Sequence, residues 1–438
     1  MNIKSSLTTP DTTSSDSAIS SPCHGSIARL QGFPQIKVPS TGAQRSALAL
    51  LIGMAWAAPA LAQLSDTISP FLASTINYDD NLTRVDKSQP QAAGVSESDT
   101  YKTQAGGITL DRPIGRQRLT GVFTLSRVTF DRNTQYDYNG KNGKTDLAWQ
   151  IGNYWQGNIG VTYDQSLASF ADYHSTERSL RTYKREYVTG AWRFHPSWDV
   201  RANASQDKFS YTGSSQSYSN NTTNTGDVGA DYLAPSGSKV GFLFRRVEAT
   251  YPNQVQVGSA VFRNDYDQNE AKININWIVS GITNITFLGG WVKRKHPFSN
   301  VRDDSGTNGR LVATWAPWGK TQIYAQVYRE FASAESTLVN SALQKGVQIN
   351  GTWKATSKIT AIATVREERR DFQPLVGVDV VGSLNDKSHY QSVGLTYAPL
   401  PNISLKLTAF HDARTGAAAA GTTTYNANGA SFSGSVQF

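Results

Sequence analysis

The sequence contains a single cysteine, Cys23, among its 438 residues. This excludes a disulfide scaffold and any cysteine-based zinc or iron–sulfur site. Charged residues make up only 17% of the chain, whereas about 25% is usual in globular proteins. The net charge of +8 is spread thinly and forms no Lys/Arg block, so the composition does not favour a nucleic-acid partner.

Long apolar runs and catalytic motifs are also missing. Beyond residue 62, no segment approaches the roughly 18 apolar residues of a membrane helix. The sequence has no P-loop and no Gly-x-Ser-x-Gly elbow. The five histidines beyond residue 62 are scattered without metal-ligand spacing: His174, His195, His296, His389 and His411. We therefore expect no enzymatic activity, no metal and no cofactor.

The amino-terminal part has the pattern of a secretory signal peptide. Arg45 precedes the apolar stretch 47–56, and Ala60 and Ala62 occupy the −3 and −1 positions of a small-residue cleavage site. We expect a disordered forepart over residues 1–44, a cleaved signal over 45–62 and the mature domain over 63–438. The forepart is unusual before a signal and puts the translation start in question.

Short breaks rich in Pro, Gly and polar residues recur about every 41 residues in the mature sequence. Residues on both sides of each break alternate between apolar and polar, as in ISLKLT from Ile403 to Thr408. This period of two predicts strands with one apolar and one polar face. The breaks centre near Pro113, Asn153, Pro196, Ser236, Ser280, Trp318, Thr356 and Leu400.

Longer polar stretches lie between the breaks, at 83–99, 207–223, 295–308 and 367–388. Short turns that alternate with long loops are typical of outer-membrane barrels. We predict an all-β fold: a single transmembrane antiparallel β-barrel of about 18 strands, with 16 as the second choice, in the bacterial outer membrane. A β-propeller has a similar period, but its blades need four short strands where this pattern holds two long ones.

The tryptophans support this interpretation because most of them lie close to the breaks. An indole ring is apolar with one N–H donor, so it favours the boundary between hydrocarbon and water. We predict a periplasmic aromatic girdle, with Trp291 reaching the opposite interface. The girdle residues are Trp149, Trp155, Trp192, Trp198, Trp277, Trp315, Trp318 and Trp353.

The carboxyl-terminal strand alternates apolar residues with Ser and Gln and stops at an aromatic residue. Phe432, Val436 and Phe438 share its apolar face. This arrangement resembles the signal by which bacterial outer-membrane barrels are assembled.

The mature chain opens with Pro70-Phe71, followed by Tyr78-Asp79-Asp80-Asn81-Leu82. This segment resembles the opening of the EpsL-type outer-membrane proteins of exopolysaccharide biosynthesis operons. The rest of the chain is similar to them in its predicted architecture. The resemblance implies a role in exporting or assembling an extracellular polysaccharide.

Two charged clusters have alternative interpretations. Asp79 and Asp80 could form a carboxylate pair for acid–base chemistry, but adjacent strand residues face opposite ways. We therefore favour a solvated loop start above the first strand. The segment 366–371 (REERRD) is expected to form a self-neutralising rim of a long outer loop, with ligand contact as the alternative.

The inward polar face is the candidate functional site. Amide, guanidinium and phenol groups suit hydroxyl-rich polymers because they donate and accept hydrogen bonds. The alternative is an ordinary wet barrel interior. The inward candidates are Arg193, Arg201, Asn203, Lys272, Asn274, Asn276, Arg310, Gln322, Tyr324, Gln326, Tyr328, Asn350 and Lys406.

Two functional classes stay open at this point. The first is a conduit or export component for polysaccharide, because barrels of 16 to 18 strands enclose an aqueous channel. The second is a non-conducting barrel that ties a synthesis complex to the outer membrane. The expected partners are outer-membrane lipid and lipopolysaccharide, the barrel assembly machinery, and polysaccharide or polysaccharide export proteins.

Overall fold

The computed structural model describes residues 67–89, 91–171, 176–257, 260–298, 303–333, 339–374 and 382–438. The predicted forepart and signal peptide, residues 1–62, lie outside the described residues. Within these ranges, no helix has the length and apolar character needed to cross a membrane. Almost all regular structure in them is β-strand.

Eighteen strands form one sheet, and a two-stranded hairpin accompanies it. The hairpin consists of β10 (Val255–Val257) and β11 (Ala260–Phe262). The sheet strands are β1 (Ile68–Asp79), β2 (Asp99–Ile114), β3 (Gln117–Phe130), β4 (Tyr138–Ile151), β5 (Trp155–Leu167), β6 (Leu180–His195), β7 (Trp198–Tyr211), β8 (Asn221–Leu233), β9 (Lys239–Thr250), β12 (Tyr266–Ser280), β13 (Thr283–Lys295), β14 (Asp304–Trp318), β15 (Thr321–Ser333), β16 (Val339–Lys354), β17 (Ile359–Pro374), β18 (Asn385–Leu400), β19 (Ile403–Thr415) and β20 (Tyr425–Gln437).

The sheet closes on itself to form a barrel. Each strand pairs antiparallel with its neighbours in sequence, β9 pairs with β12 across the hairpin, and β1 pairs with both β2 and β20. Closure leaves no free sheet edge, as a membrane-spanning sheet requires. The predicted 18-stranded antiparallel barrel is confirmed.

Eight short turns lie at one end of the barrel, each within two residues of a predicted break. They span residues 115–116, 152–154, 196–197, 234–238, 281–282, 319–320, 355–358 and 401–402. Gly115 and Gly152 adopt φ angles of 62° and 59° there, a left-handed conformation that glycine reaches without a Cβ clash. The two-residue period and the turn residues together set the strand register.

The outer wall is apolar over a continuous band. The band includes Phe123, Val161, Val188, Phe242, Phe244, Ile273, Leu311, Val327, Ile349, Val393 and Leu395, all of which are exposed on the outer face. Large apolar side chains exposed all around a closed barrel match a lipid-facing surface. The protein is therefore a transmembrane barrel of the outer-membrane type.

The girdle tryptophans all lie on this outer face, near the turn end. Trp155 and Trp192 stack with ring centroids 5.3 Å apart, and Trp198 contacts Tyr232 edge-on. Seven of the eight rings are at least 43% exposed. Trp149 is half-buried, because its ring packs against Gly157 on the neighbouring strand. Trp291 is also exposed on the outer face, further along its strand.

The strands are longer than the membrane is thick, and this corrects the predicted loops. A strand of 16 residues, such as β17, rises roughly 40 Å when tilted by about 40°, whereas the apolar band is about 25 Å tall. Beyond the band, the outward face is polar as well, so the alternation weakens and composition alone suggests a loop. Parts of the predicted loops 207–223, 295–308 and 367–388 are therefore strand.

The REERRD segment is part of this correction. Residues 366–371 lie within β17 and pair on one side with β16 and on the other with β18. Arg366, Glu368 and Arg370 consequently face the interior, and Glu367, Arg369 and Asp371 face outward. The predicted rim of a long outer loop is wrong for this segment.

The topology is testable with single cysteines at the two ends of the barrel. Ser236 lies in the turn between β8 and β9, and Ser383 lies between β17 and β18. We expect a membrane-impermeant maleimide to label Ser383→Cys on intact cells and Ser236→Cys only after the outer membrane is opened, because short turns face the periplasm. Labelling of both cysteines on intact cells would contradict this topology.

The lipid-facing band is testable by placing a charged side chain in it. Phe244 is 61% exposed on the outer face of β9. Phe244→Lys should destabilise the folded barrel by roughly 2–4 kcal/mol, because a charge near the bilayer midplane loses its hydration. Phe244→Leu is the control. Urea titration in lipid vesicles measures the difference, and equal stabilities of the two variants would rule out a lipid-facing position.

Candidate functional site: the barrel lumen

The lumen face consists of the strand residues that alternate with the outward apolar band. All thirteen inward candidates from the sequence lie on it. Lys272, Gln326 and Tyr328 are buried. Arg193 and Gln322 are exposed close to the turns, and the remaining candidates are half-buried: Arg201, Asn203, Asn274, Asn276, Arg310, Tyr324, Asn350 and Lys406. Their contact with a glycan stays a prediction.

One group of candidates meets on β7, β8 and β12. Arg201 Nε lies 3.0 Å from Asp231 Oδ2, and Arg201 Nη2 donates to Asn274 Oδ1 at 2.7 Å. Asn274 Nδ2 in turn donates to Asp231 Oδ1 at 2.8 Å. Beside it, Asn203 Nδ2 donates to Asp227 Oδ1 at 2.6 Å. We call this the β7–β12 network.

A second group meets on β14 to β16. Arg310 Nη2 forms an ion pair with Glu330 Oε2 at 2.7 Å, and its Nη1 donates to Gln326 Oε1 at 2.9 Å. Tyr324 OH donates to the same Gln326 oxygen at 2.8 Å. The guanidinium lies over the Tyr328 ring, 4.9 Å from its centroid. We call this the β14–β16 network.

The two networks are separate, and some candidates near the turns belong to neither. Asn276 accepts from Asn284 Nδ2 at 2.9 Å, whereas Arg193 and Gln322 extend into the turn-end mouth. The structure thus distributes the predicted residues around the wall and gathers no single binding pocket from them.

The acidic partners are what sequence reasoning missed. Lys272 Nζ lies 2.6 Å from Glu270 Oε2, with both side chains at most 5% exposed, and Arg245 Nη2 lies 3.1 Å from Asp227 Oδ2. Glu368, from the REERRD segment, accepts a hydrogen bond from Tyr328. The same alternation would have placed these acids inward, because Asp227, Asp231 and Glu270 occupy the polar phase of their strands.

The charges that meet in these networks are therefore neutralised by one another. Buried charges need a partner because desolvation of a lone charge is costly. Each cation in the two networks has a carboxylate on the same or the next strand. A wall of this kind presents hydrogen-bond donors and acceptors without a strong net field.

Several lumen side chains at the loop end are almost fully buried, whereas parts of the turn half are open. Val122 faces inward in the turn half of β3 and is still 43% exposed, so that part of the lumen is hollow. Near the loop end, Asp99, Phe209 and Asp386 face inward and are at most 5% exposed. The lumen is thus narrowed at the loop end.

Inward-packed loops cause the narrowing. Tyr136 from the β3–β4 loop is fully buried against Phe130 and Phe170, the latter from the β5–β6 loop. Arg414 on β19 donates a hydrogen bond to the carbonyl of Ala171 in that same loop. β19 and β5 are six strands apart through the closing seam, so this contact spans part of the lumen mouth.

The opening motif also belongs to this region, where it anchors the loop after β1. Asp79 ends β1 inside the barrel, and both of its oxygens accept from Arg84 at 2.9 Å. Arg84 lies between the rings of Phe410 and Tyr425, 5.8 Å from each centroid. Asp79 is 1% exposed, so the expected solvated loop start is wrong for this residue.

The other motif residues hold the seam between β1 and β20. Asp80 accepts from the backbone N–H of Asn428 at 2.6 Å, and Asn81 Nδ2 donates to the carbonyl of Asn426 at 3.1 Å. At the opposite end, the backbone N–H of Phe438 donates to Pro70 O at 2.9 Å.

The remaining residues of the motif have other surroundings. Leu82 packs in the buried cluster with Tyr101. Phe71 covers Gly107, and Tyr78 is exposed on the outer face.

Electrostatics make the Asp79–Arg84 pair strong. Burial alone would lower the pKa of the Arg84 guanidinium, but the charges of Asp79 and Asp412 outweigh burial and raise its pKa above the ordinary value. The guanidinium is therefore always charged. Within the described residues, no group of three or more His, Cys, Asp or Glu could hold a metal ion.

Comparisons with known proteins find only distant likenesses. No family model and no curated relative matches the chain. Among solved structures, a BenF-like porin from Pseudomonas fluorescens Pf-5 is 10% identical, with a TM-score of 0.46 over 86% of this chain and 100% of that chain. OpdK from Pseudomonas aeruginosa is 10% identical, with a TM-score of 0.44 over 86% and 99%. The closed barrel rests on its own strand pairing, independently of these likenesses.

The anchoring role of Asp79 is testable by comparing a substitution at Asp79 with the same substitution at the adjacent Asp80. Asp79→Asn leaves the buried Arg84 without its bidentate partner, and breaking a buried ion pair costs about 3–5 kcal/mol. We expect limited proteolysis of loop 80–98 to accelerate at least about tenfold, whereas Asp80→Asn, which removes a half-exposed contact with Lys87, should change it little. Equal protection of the loop in both variants would contradict the anchor.

Proposed function

We propose that this protein takes part in extracellular polysaccharide biosynthesis as an outer-membrane conduit or export component. The observation that carries the proposal is the lumen face, on which neutralised charge pairs, amides and tyrosines line the wall at several heights. The resemblance of the opening segment to EpsL-type proteins supports a polysaccharide as the cargo. No cofactor is part of this function.

The chemistry of the lumen face suits a hydroxyl-rich chain. Sugar hydroxyls both donate and accept hydrogen bonds, as do the amides of Gln326 and Asn274 and the phenol of Tyr324. A polymer must also leave the wall again, so many weak contacts serve transport better than one tight site. The distribution of the two networks around the wall fits this requirement.

The turn end is the expected entry side for cargo. With the short turns in the periplasm, the narrowed loop end lies at the cell surface. A polymer arriving from the periplasm would meet the exposed Arg193 and Gln322 first. It would then pass the β7–β12 and β14–β16 networks before reaching the loop-end constriction.

The second candidate is a non-conducting barrel that anchors a polysaccharide synthesis complex. The contact between Arg414 and Ala171 and the buried cluster around Tyr136 favour it, because they fill part of the loop-end mouth. In this case the loops or the periplasmic turns would carry function, and the lumen would not.

The two candidates differ in what a lumen variant does. Arg201→Ala with Tyr324→Ala removes one member of each network, so we expect less surface polysaccharide and altered conductance of the purified barrel in a planar bilayer. Val200→Ala with Val327→Ala is the matched control, since these residues lie on the same two strands but face lipid. Barrel assembly is monitored by labelling of Ser383→Cys.

The outcome decides between the two functions. A polysaccharide defect in the lumen variant, with a normal amount of folded barrel, supports the conduit. Unchanged secretion in that variant, together with loss of secretion when the β17–β18 connection is shortened, would overturn it in favour of the anchor.

A further inference from the structure

A groove on the outer wall of the barrel is unrelated to the lumen. It has a volume of about 650 Å³ and crosses β5 to β9, which is within the usual range for small-molecule sites of about 300–1,000 Å³. Its floor is formed by Ile159, Val161, Val188, Ala204 and Gly226, all exposed on the lipid-facing side.

Gly226 creates much of this groove. It pairs with Ala204 on β7 and Arg246 on β9, and a Cβ placed on it would meet no atom within 4 Å. Two small residues side by side therefore leave a depression beside the larger side chains of Ile159, Val161 and Val188. Apolar walls and a position within the membrane favour an acyl chain as the occupant.

Two lysines stand directly above the groove. Lys184 on β6 and Lys208 on β7 are opposite each other in the strand register and both are exposed on the outer face. Lys184 Nζ lies 5.6 Å from the centroid of the Tyr163 ring. Like charges directly opposite one another destabilise a sheet, so the lysine pair does not stabilise the folded barrel.

The acidic side chains around the groove do not neutralise the two lysines. Arg246 at the lower rim pairs with Glu248 at 2.7 Å and Asp267 at 3.4 Å. Glu186, the remaining rim carboxylate, forms no ion pair with Lys184 or Lys208 in the part of the chain that the structure describes. An anion placed between the two lysines would remove their mutual repulsion.

The height of the lysines identifies the leaflet. Lys184 lies eight residues along β6 from the girdle residue Trp192, which is roughly 20 Å of height for a strand tilted by about 40°. This places the backbone of the lysine pair about 5 Å below the outer boundary of an apolar band about 25 Å tall, and the long lysine side chains reach the headgroups from there. The groove below it then lies at the depth of the outer-leaflet acyl chains.

We propose that this groove and lysine pair bind a phosphorylated, acylated glycolipid of the outer leaflet, of the lipid A type. Phosphate lies between Lys184 and Lys208, and an acyl chain fills the depression over Gly226. Phosphate suits the site because two ammonium groups from adjacent strands can donate to different oxygens of one group. The inference is independent of the lumen and of what the lumen transports.

Binding of purified lipid A carrying both phosphates, measured by native mass spectrometry of the detergent-solubilised barrel, tests the proposal. Lys184→Gln with Lys208→Gln should weaken binding by at least about tenfold, since each lysine near such a surface contributes severalfold. Gly226→Phe should weaken it as well, because the ring occupies the groove while both charges remain.

Matched controls exist elsewhere on the outer wall. Gly351 also faces outward with no atom within 4 Å of a built Cβ, so Gly351→Phe controls for an added ring. Lys293→Gln with Lys295→Gln controls for loss of two exposed lysines on one strand. Both controls should bind lipid A as the parent does.

Three outcomes would overturn the proposal. The first is unchanged binding in the double lysine variant. The second is an equal loss of binding in the two controls. The third is equal binding of lipid A without phosphates, or of phosphatidylglycerol, which would show that the site does not select a phosphorylated glycolipid. The lysine variant keeps the test decisive if Gly226→Phe does not fold.

Discussion

The need to satisfy every backbone hydrogen bond within lipid governs the rest of this structure. A sheet in hydrocarbon can have no free edge, because each unpaired N–H or C=O group there costs several kcal/mol. Pairing of β1 with β20 removes the last edge. Once the barrel is closed, the two-residue alternation assigns each side chain either to lipid or to the lumen.

The lumen follows from this assignment. Polar residues in the inward phase are brought together from strands that are adjacent in the sheet, so they neutralise one another in pairs such as Arg310 with Glu330. The wall becomes rich in hydrogen-bonding groups while its field stays weak. This combination suits a hydrated, neutral cargo better than a strongly charged one.

Closure also explains the position of the opening motif. Asp79 to Leu82 lie at the loop end of the seam, where side chains as well as backbone pairing join the first strand to the last. The buried Asp79–Arg84 pair and the contacts of Asp80 and Asn81 with β20 do this. The motif therefore has a structural role at the seam, and the same loop narrows the lumen mouth.

Local information in the sequence determined the strand count, the eight turns and the inward or outward phase of each candidate. These features depend on alternation and on turn residues, which act over a few neighbours. Arg201 and Tyr324 could thus be assigned to the lumen without a structure. The boundary between strand and loop was predicted wrongly beyond the membrane, as for residues 366–371, because the alternation disappears where the outward face leaves the lipid and becomes polar as well. Only the tertiary structure decided which charges pair, that Asp79 is buried, and that the loops contact one another across the mouth. Those contacts join residues far apart in sequence, and their partners are chosen by barrel closure and not by local pattern.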